Sequence, residues 1–187
     1  RQPENSGATI MRQFILKHLS AGVSCMSLVV GLLSIPAISF AVDYTSTAGG
    51  SGGESYTLTC GSGKALVGIK GKAGSFIDKV QGVCAQINYD GSWQGSTTTT
   101  VSAGDPRDKD FGYSFDLTCP SGQAVSGIKG KAGSYIDQLR VRCGMLDQDG
   151  RLSSLGDFLS STAGGTDGSS FGPLDCSSNQ PARLIRG

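Results

Sequence analysis

The stretch GIKGKAGSYID, residues 127–137, has a near copy 59 positions earlier, GIKGKAGSFID, residues 68–78. The similarity extends on both sides of this stretch. Residues 60–84 align with residues 119–143 without a gap, and 15 of the 25 aligned positions are identical. Both segments begin and end with cysteine. The sequence therefore contains an internal repeat, which predicts a fold built from similar structural units.

A third copy begins near the end of the sequence. Residues 176–187 align without gaps on residues 119–130, and the sequence ends where the segment KAGSYID would follow. We expect a truncation at this end, because Cys176 otherwise lacks the partner that its equivalents have; a natively incomplete third unit is the alternative. The predicted repeats, called units 1, 2 and 3, are about residues 49–100, 108–160 and 164–187.

The first 41 residues are typical of a targeting segment. Residues 1–10 precede a methionine and are expected to be an upstream segment. Residues 11–41 combine a basic stretch, MRQFILKH, an apolar run, SLVVGLLSIPAISF, and a small-x-small pattern that ends at Ala41. That order predicts a secretory signal peptide, whereas a membrane anchor is disfavoured by the serines and the proline in the run. We therefore predict cleavage after about Ala41 and a secreted, extracellular domain without a membrane span, residues 42–187.

Charge and histidine content exclude several classes of function. Residues 42–187 contain 13 lysines and arginines against 14 aspartates and glutamates, and a net charge near −1 argues against a nucleic-acid partner. The sole histidine, His18, lies in the signal segment. The mature protein thus lacks the residue that Ser-His and Cys-His catalysis and most zinc sites require. Glu54 is its only glutamate, which disfavours a glycan hydrolase. We predict neither enzymatic activity nor a cofactor or metal.

Apolar and polar residues alternate next to the cysteines. In residues 136–143, Leu139, Val141 and Cys143 alternate with arginines, and this period of two predicts a strand with the cysteine on its inward face. Residues 56–60 and 114–119 alternate in the same way. No mature segment has a convincing helical period. The sequence therefore predicts an all-β fold.

Five cysteines belong to the mature chain, and an exported protein favours disulfides over metal–thiolate sites. We predict the pairs Cys60–Cys84 and Cys119–Cys143, each of which closes one repeat. Other pairings are open, but equal spacing in two units makes this one the most economical. Three sheet-forming units that cannot bury their own apolar faces predict a pseudo-threefold arrangement around a shared core.

Short motifs in the repeat resemble a known family. The segment GGSGG at residues 49–53, with GSFID at residues 74–78 and GSYID at residues 133–137, resembles the jacalin-related lectins, and within them griffithsin-like repeats. The cysteine frame and an Asp-Gly-x-Trp turn also resemble vitelline membrane outer layer protein 1. Both resemblances, which cover about residues 44–187, imply a β-prism I fold: three Greek-key sheets about a pseudo-threefold axis, here with an apparently incomplete third unit.

The repeated loop has the chemical parts for binding a neutral sugar. Glycine lets the backbone approach a ligand closely, a carboxylate accepts hydrogen bonds from two hydroxyls, and an aromatic ring offers a flat apolar wall. The resemblance implies that the aspartate and nearby backbone amides contact the sugar together with a Gly-Gly loop. Matched by position, it nominates these residues: Gly74, Ser75, Phe76 and Asp78; Gly133, Ser134, Tyr135 and Asp137; Gly164 and Gly165; Gly52 and Gly53.

The resemblance also implies which loops work together. A Gly-rich loop of the family usually partners the GxYxD loop that precedes it in sequence. On that rule Asp137 pairs with residues 164–168 and forms the best intact site. Asp78 would face residues 105–112, and residues 49–53 would face the loop missing from unit 3. Phe76 departs from the family pattern, since it replaces the usual tyrosine.

The functional prediction is a metal-independent lectin whose partners are glycans or glycoconjugates, with mannose-type sugars favoured. Single sites of this kind bind weakly, so several sites or a homo-oligomer would supply avidity. The alternative is an extracellular structural or coat protein in which the loop is a turn capped by its aspartate.

Two further features have alternative interpretations. Lys70, Lys72, Lys129 and Lys131 are expected on a solvated strand face, with a basic patch for acidic glycans as the alternative. Trp93 is expected to pack in the core or at an edge, with a second stacking platform as the alternative.

Overall fold

The computed structural model describes residues 45–51, 55–104, 112–159, 161–176 and 179–187. The predicted upstream segment and signal peptide, residues 1–41, lie outside the described residues, as do Gly52 and Gly53. Every regular element in the described part is a β-strand, so the all-β prediction is confirmed. The described ranges contain no helix long and apolar enough to cross a membrane.

Eleven strands lie in the described part of the chain, and the sequence repeat is visible in their bounds. They are β1 Thr57–Thr59, β2 Lys64–Ala73, β3 Ile77–Ile87, β4 Trp93–Thr99, β5 Ala103–Gly104, β6 Tyr113–Thr118, β7 Gln123–Ala132, β8 Ile136–Met145, β9 Ala163–Gly164, β10 Ser169–Asp175 and β11 Leu184–Arg186. Each predicted strand next to a cysteine is present. The long hairpins β2–β3 and β7–β8 are the equivalent centres of units 1 and 2.

These strands form three sheets whose neighbouring strands are antiparallel. The first has the order β4-β3-β2-β6, with β5 also paired to β3; the second has the order β10-β7-β8-β9; the third pairs β1 with β11. The short strands β5 and β9 occupy the same place, since each pairs with the beginning of the strand that follows the repeated loop. Units 1 and 2 therefore share one sheet pattern.

Each sheet contains one strand that comes from the next unit. Strand β2 of unit 1 pairs with β6 of unit 2, and β7 of unit 2 pairs with β10 of unit 3. Strand β11 of unit 3 pairs with β1 of unit 1. Equivalent residues meet in all three ladders: Ile69 with Leu117, Ile128 with Leu174, and Ile185 with Leu58. The exchange therefore links the three units in a closed cycle.

Backbone hydrogen bonds at the first cysteine of each unit follow the same cycle. Cys60 donates its N–H to the Arg183 carbonyl at 3.0 Å, Cys119 to Val67 at 2.8 Å, and Cys176 to Ser126 at 2.9 Å. Buried N–H groups need a partner, and here the neighbouring unit supplies it each time. The short third copy thus takes the same position in the cycle as the two longer ones.

The glycine in the middle of each GIKGK segment is required by this packing. A methyl group at Gly71 would lie 1.8 Å from the Lys79 carbonyl oxygen, and one at Gly130 would lie 1.8 Å from that of Gln138. The rings of Phe115 and Phe171, which come from the next unit, are the following contacts. Only glycine leaves room for the neighbouring strand and the aromatic ring together.

The predicted disulfides are confirmed. Cys60–Cys84 and Cys119–Cys143 have Cα separations of 5.4 and 5.6 Å, within the usual range. All four cysteines are buried in the main hydrophobic cluster, where Leu66, Leu117 and Val141 also lie. Cys176 is a free thiol. Small glycine-rich units with modest cores depend on such covalent links for much of their stability.

Candidate functional site

The repeated loops have the same turn geometry. Loop 1, residues 74–78, connects β2 to β3, and loop 2, residues 133–137, connects β7 to β8. In loop 1 Gly74 donates its N–H to the Phe76 carbonyl at 2.9 Å, and in loop 2 Gly133 donates to Tyr135 at 3.0 Å. Both rings are exposed, Phe76 by 41% and Tyr135 by 66%.

The structure brings the two loops together. The ring centroids of Phe76 and Tyr135 are 5.3 Å apart with the planes tilted by 55°, a favourable geometry for an aromatic pair. The nominated residues of units 1 and 2 thus form one continuous surface rather than two separate ones. This juxtaposition does not follow from the sequence, where the two rings are 59 positions apart.

The Gly-Gly turn, Gly164 and Gly165, lies between the two loops. Gly165 donates its N–H to the Asp137 carbonyl at 2.7 Å, so the turn is beside loop 2 as expected. A methyl group at Gly165 would also lie 2.6 Å from the Ser75 carbonyl oxygen of loop 1. Gly164 and Gly165 therefore contact the backbone of loop 2 and loop 1. A side chain at position 165 would push the Gly-Gly turn away from loop 1.

Tyr113 is a member of this surface that the sequence did not reveal. Its hydroxyl accepts a hydrogen bond from the Gly164 N–H at 2.9 Å and lies 3.3 Å from the Gly164 carbonyl, to which it donates. The ring is 48% exposed. No motif marks this tyrosine, because it becomes part of the surface only through the exchange of β6 into the sheet of unit 1.

The first glycine-rich segment contacts loop 2. Gly50 donates its N–H to the Ser134 carbonyl of loop 2 at 3.3 Å, and a methyl group there would lie 2.6 Å from the same oxygen. The loop of unit 3 that this segment was predicted to face is not part of the sequence, so that expectation stays a prediction; Gly52 and Gly53 lie outside the described residues. Gly165 makes the same kind of contact with Ser75, and in both cases the contacted loop belongs to the next unit of the cycle.

A sequence signal for this contact exists. The pentapeptide STAGG occurs at residues 46–50 and again at residues 161–165, so Gly50 is the equivalent of Gly165. We name the whole surface the loop cluster. It comprises loop 1, loop 2, the Gly-Gly turn, Tyr113 and Gly50.

The aspartates of the two loops have different surroundings. Asp137 is only 3% exposed, and its Oδ2 atom is buried with no hydrogen-bond partner among the described residues. Asp78 is partly exposed. The alternation that places Leu139 and Val141 inward also places Asp137 inward, so this burial could have been predicted from the sequence. A buried carboxyl oxygen without a partner is uncommon and indicates either a cost in stability or an acceptor kept for another group.

Two glycines make the space around the Asp137 side chain. A methyl group at Gly168 would lie 2.4 Å from Asp137 Oδ2, and one at Gly133 would lie 3.7 Å from it. Gly168 also has a φ of +76°, which side chains other than glycine rarely adopt. The carboxyl group is therefore covered by backbone alone, on the side where residues 164–168 return to β10.

Loop 2 also presents hydrogen-bond donors. Within the described residues, the backbone N–H groups of Ser134 and Tyr135 have no acceptor. Both residues are exposed. Free N–H groups, an exposed ring and a carboxyl oxygen without a partner therefore occur within four consecutive positions, residues 134–137.

Other candidate features are explained by packing. Trp93 donates its indole N–H to the Gln123 carbonyl at 3.0 Å and packs against both hydrophobic clusters, so the interpretation as a packing residue is confirmed.

Among the described residues no group of three or more His, Cys, Asp or Glu side chains is arranged to hold a metal ion. A scan against protein-family models finds no match, and a search of curated proteins finds none either.

Proposed function

We propose that the chain folds as a β-prism I domain of the jacalin-related lectin type. The support is the cyclic arrangement: three sheets, one exchanged strand per unit, and the same cysteine N–H bond repeated three times. The units of such a prism share a core around one axis, and the equivalent ladders of the three sheets support this arrangement.

The function we propose is metal-independent carbohydrate binding at the loop cluster. One observation carries it: three exposed aromatic rings, those of Phe76, Tyr113 and Tyr135, surround the backbone of the Gly-Gly turn. Aromatic rings beside free backbone donors suit a pyranose, whose faces are apolar and whose rim carries hydroxyls. Large exposed apolar side chains gathered at one place in a soluble protein usually mark a binding surface.

In the proposed complex, a sugar hydroxyl donates to Asp137 Oδ2. Because that atom is covered in the free protein, residues 164–168 move away from loop 2 as the sugar enters. The N–H groups of Ser134 and Tyr135 donate to sugar oxygens, and the Tyr135 ring packs on a sugar face. Each of these bonds replaces one to water, so the net gain per bond is small, about 1 kcal/mol, and millimolar affinity for one monosaccharide is expected. Mannose-type sugars are favoured, as in the tyrosine-loop lectins that the sequence resembles.

Secretion is part of the proposal. Two buried disulfides fit an oxidising compartment, and the predicted signal peptide would deliver the chain to it. Catalysis is not part of the proposal, because the nominated residues supply hydrogen bonds and stacking but no histidine and no glutamate.

The test combines a glycan array with calorimetric titration of mannose and galactose in EDTA. Asp137→Asn should abolish measurable binding, and Tyr135→Ala should weaken it by roughly tenfold through loss of stacking. Tyr89→Ala is the matched control, because Tyr89 is 93% exposed and lines a different cavity with Asn88 and Gln148. Unchanged binding by Asp137→Asn, or equal loss in Tyr89→Ala, would contradict the proposed site. Failure of the folded wild-type protein to bind any glycan would contradict the function.

The alternative, an extracellular assembly protein, is favoured by one edge strand. Strand β4 lies at the end of the first sheet and exposes six of its seven residues, which include three threonines and no charge. Such an uncharged edge can pair with another chain. This function predicts large species in light scattering that Thr97→Lys disperses, with no sugar binding. A monomer at all concentrations would exclude it.

A further inference from the structure

A second surface, separate from the loop cluster, lies on the outward face of the first sheet. It is a cavity of about 400 Å³ that we name the basic groove, lined by Lys70, Gly71, Lys72, Lys79, Gln81, Ser114, Phe115 and Asp116. The register explains its composition. Lys70 lies between Gln81 and Asp116, and Lys72 lies between Lys79 and Ser114. Three lysines therefore share a three-stranded face with one aspartate.

The equivalent face of unit 2 is closed by the protein itself. Lys129, the counterpart of Lys70, has its Nζ atom 4.1 Å from the centre of the Phe158 ring, a favourable cation–π distance. Lys131, the counterpart of Lys72, donates to the Thr166 carbonyl. Arg140, the counterpart of Gln81, donates to the Leu159 carbonyl at 2.6 Å. Each cation on this face thus has an internal partner.

Lys70 and Lys72 of unit 1 lack these partners among the described residues. Within the described residues, no aromatic ring covers Lys70, no carbonyl accepts from Lys72, and neither forms an ion pair. The one carboxylate in the groove, that of Asp116, already accepts a hydrogen bond from the Thr118 hydroxyl. In the described part of the chain, the two lysines of the sequence GIKGK therefore have partners in unit 2 and none in unit 1.

We propose that the basic groove binds an acidic polysaccharide, a sugar chain that carries sulfate or carboxylate groups. Lys70 and Lys72 are two residues apart on one strand, so their side chains project about 7 Å apart and can meet successive anionic groups of a linear polymer. Ser114, which lies opposite Lys72, adds a neutral hydrogen-bond donor, whereas the Gln81 amide already donates to the Thr100 carbonyl at 3.2 Å. The groove is shallow and open, which suits a chain that lies across the sheet rather than a small enclosed ligand.

The charge distribution favours a polysaccharide over a nucleic acid. Residues 42–187 carry a net charge near −1, so a polyanion is attracted only locally and is repelled by much of the remaining surface. A duplex with dense backbone charge generally needs a wide basic face, whereas sparse sulfates along a sugar chain need only the groove. This proposal does not rest on the loop cluster, which lies in other residues and recognises neutral hydroxyls.

The experiment measures binding of a fluorescent heparin-derived oligosaccharide to the full chain at low ionic strength. Wild-type protein should bind, and added NaCl should weaken the affinity because it screens exposed charges. Lys70→Gln with Lys72→Gln should lower the affinity by about tenfold, the loss expected for charge-assisted hydrogen bonds. The matched control, Lys129→Gln with Lys131→Gln, removes the same charge at the equivalent positions and should change the affinity by less than about twofold.

Further variants and competing ligands distinguish binding at the basic groove from binding elsewhere. Asp137→Asn should leave heparin binding unchanged, so that failure of the sugar site and failure of the groove are distinguishable. Asp116→Asn should tighten binding, because it removes the opposing charge. Equal losses in the two lysine pairs, or no loss in the Lys70 and Lys72 pair despite a native thermal transition, would overturn the proposal. Displacement by inorganic sulfate beyond its ionic-strength effect, or equally tight binding of duplex DNA through the same lysines, would overturn the assignment to a polysaccharide.

Discussion

Residues 68–78 and residues 127–137 are nearly identical in sequence, yet their surroundings differ. In unit 2 the aspartate is buried at 3% exposure, and the lysines contact Phe158 and Thr166. In unit 1 the aspartate is partly exposed, and Lys70 and Lys72 border an open groove. The hairpins themselves have the same register, including the same two irregularities.

The difference comes from the segments that cover the hairpins. After β8, Phe158 and Leu159 fold back over the sheet of unit 2, where Phe158 bridges to Arg142 and Leu159 donates its N–H to Val141. In unit 1, Thr99 and Thr100 take the same places beside β3, since Thr99 pairs with Val83 and Thr100 donates its N–H to Gly82, but a threonine stands where unit 2 has Phe158. A repeat can therefore preserve its backbone and its core while the flanking chain decides which copy presents charges or a loop to solvent.

The largest expected effect concerns the disulfides, which should contribute equally to the stability of units 1 and 2. Each joins cysteines 24 positions apart, and the loop-entropy estimate for such a link is about 3 kcal/mol. Replacing either pair by serine should lower the free energy of unfolding by that amount, as measured by urea denaturation. If the two losses differ by much more than about 1 kcal/mol, the segment around Phe158 also contributes to the stability of unit 2.

The next effect concerns Cys176, the cysteine of the third copy. Burial, followed by the nearby charge of Asp175, raises the pKa of its thiol to about 11, from an ordinary value of 9.0. Since the thiolate is the reactive form, alkylation by iodoacetamide at pH 8 should be about a hundredfold slower in the native protein than in urea. The rate should rise with pH up to about 11. Equal rates in the native and unfolded protein would show that unit 3 does not bury this residue.

A smaller effect is expected at Gly168, where the covering segment meets loop 2. Gly168→Ala places a methyl group 2.4 Å from Asp137 Oδ2 and should lower mannose affinity by about tenfold by blocking the carboxyl oxygen. Gly122→Ala is the control: its φ of +81° imposes similar backbone strain, but the methyl group would meet nothing within 4 Å. Comparable sugar affinity in the two variants would contradict the role given to Asp137.

The smallest effect concerns the turns at the opposite ends of the hairpins. In unit 1 Asp90 accepts hydrogen bonds from the Ser92 hydroxyl and N–H, which lower its pKa below the ordinary 3.8. A lowered pKa in the folded state stabilises the protein above the unfolded-state pKa, and this contribution is lost as the pH falls through the lowered value. Asp90→Asn should therefore reduce the melting temperature slightly at neutral pH, and this reduction should disappear as the pH falls through the lowered pKa of Asp90. A reduction that stays the same size throughout the acid range would exclude the ionised carboxylate as its cause.

Much of the fold follows from the sequence because the repeat leaves few alternatives. Equal cysteine spacing predicted both disulfides, and the alternation around Val141 predicted β8 and its inward face. The aligned third cysteine predicted a third unit of the same kind. These are local patterns, and each is enforced by burial of the residues that form it.

The loop cluster was only partly predictable, because long-range contacts create it. The GSYID motif nominated Tyr135 and Asp137, and the Gly-Gly turn was expected beside them. The pairing of Phe76 with Tyr135 and the recruitment of Tyr113 depend on how the units close into a cycle, which no local pattern encodes. The exposure of Lys70 and Lys72 could not be predicted either, because the identical residues of unit 2, Lys129 and Lys131, contact Phe158 and Thr166.

The central claim, that the loop cluster binds a neutral sugar without metal, is tested most directly by NMR. Uniformly ¹⁵N-labelled protein in EDTA would be titrated with mannose, and amide shifts would be followed residue by residue. The account predicts saturable shifts at Ser134, Tyr135, Gly164 and Gly165, with none at Lys70 or Lys72. An unchanged spectrum up to the highest mannose concentration, or saturable shifts confined to residues outside the loop cluster, would contradict it.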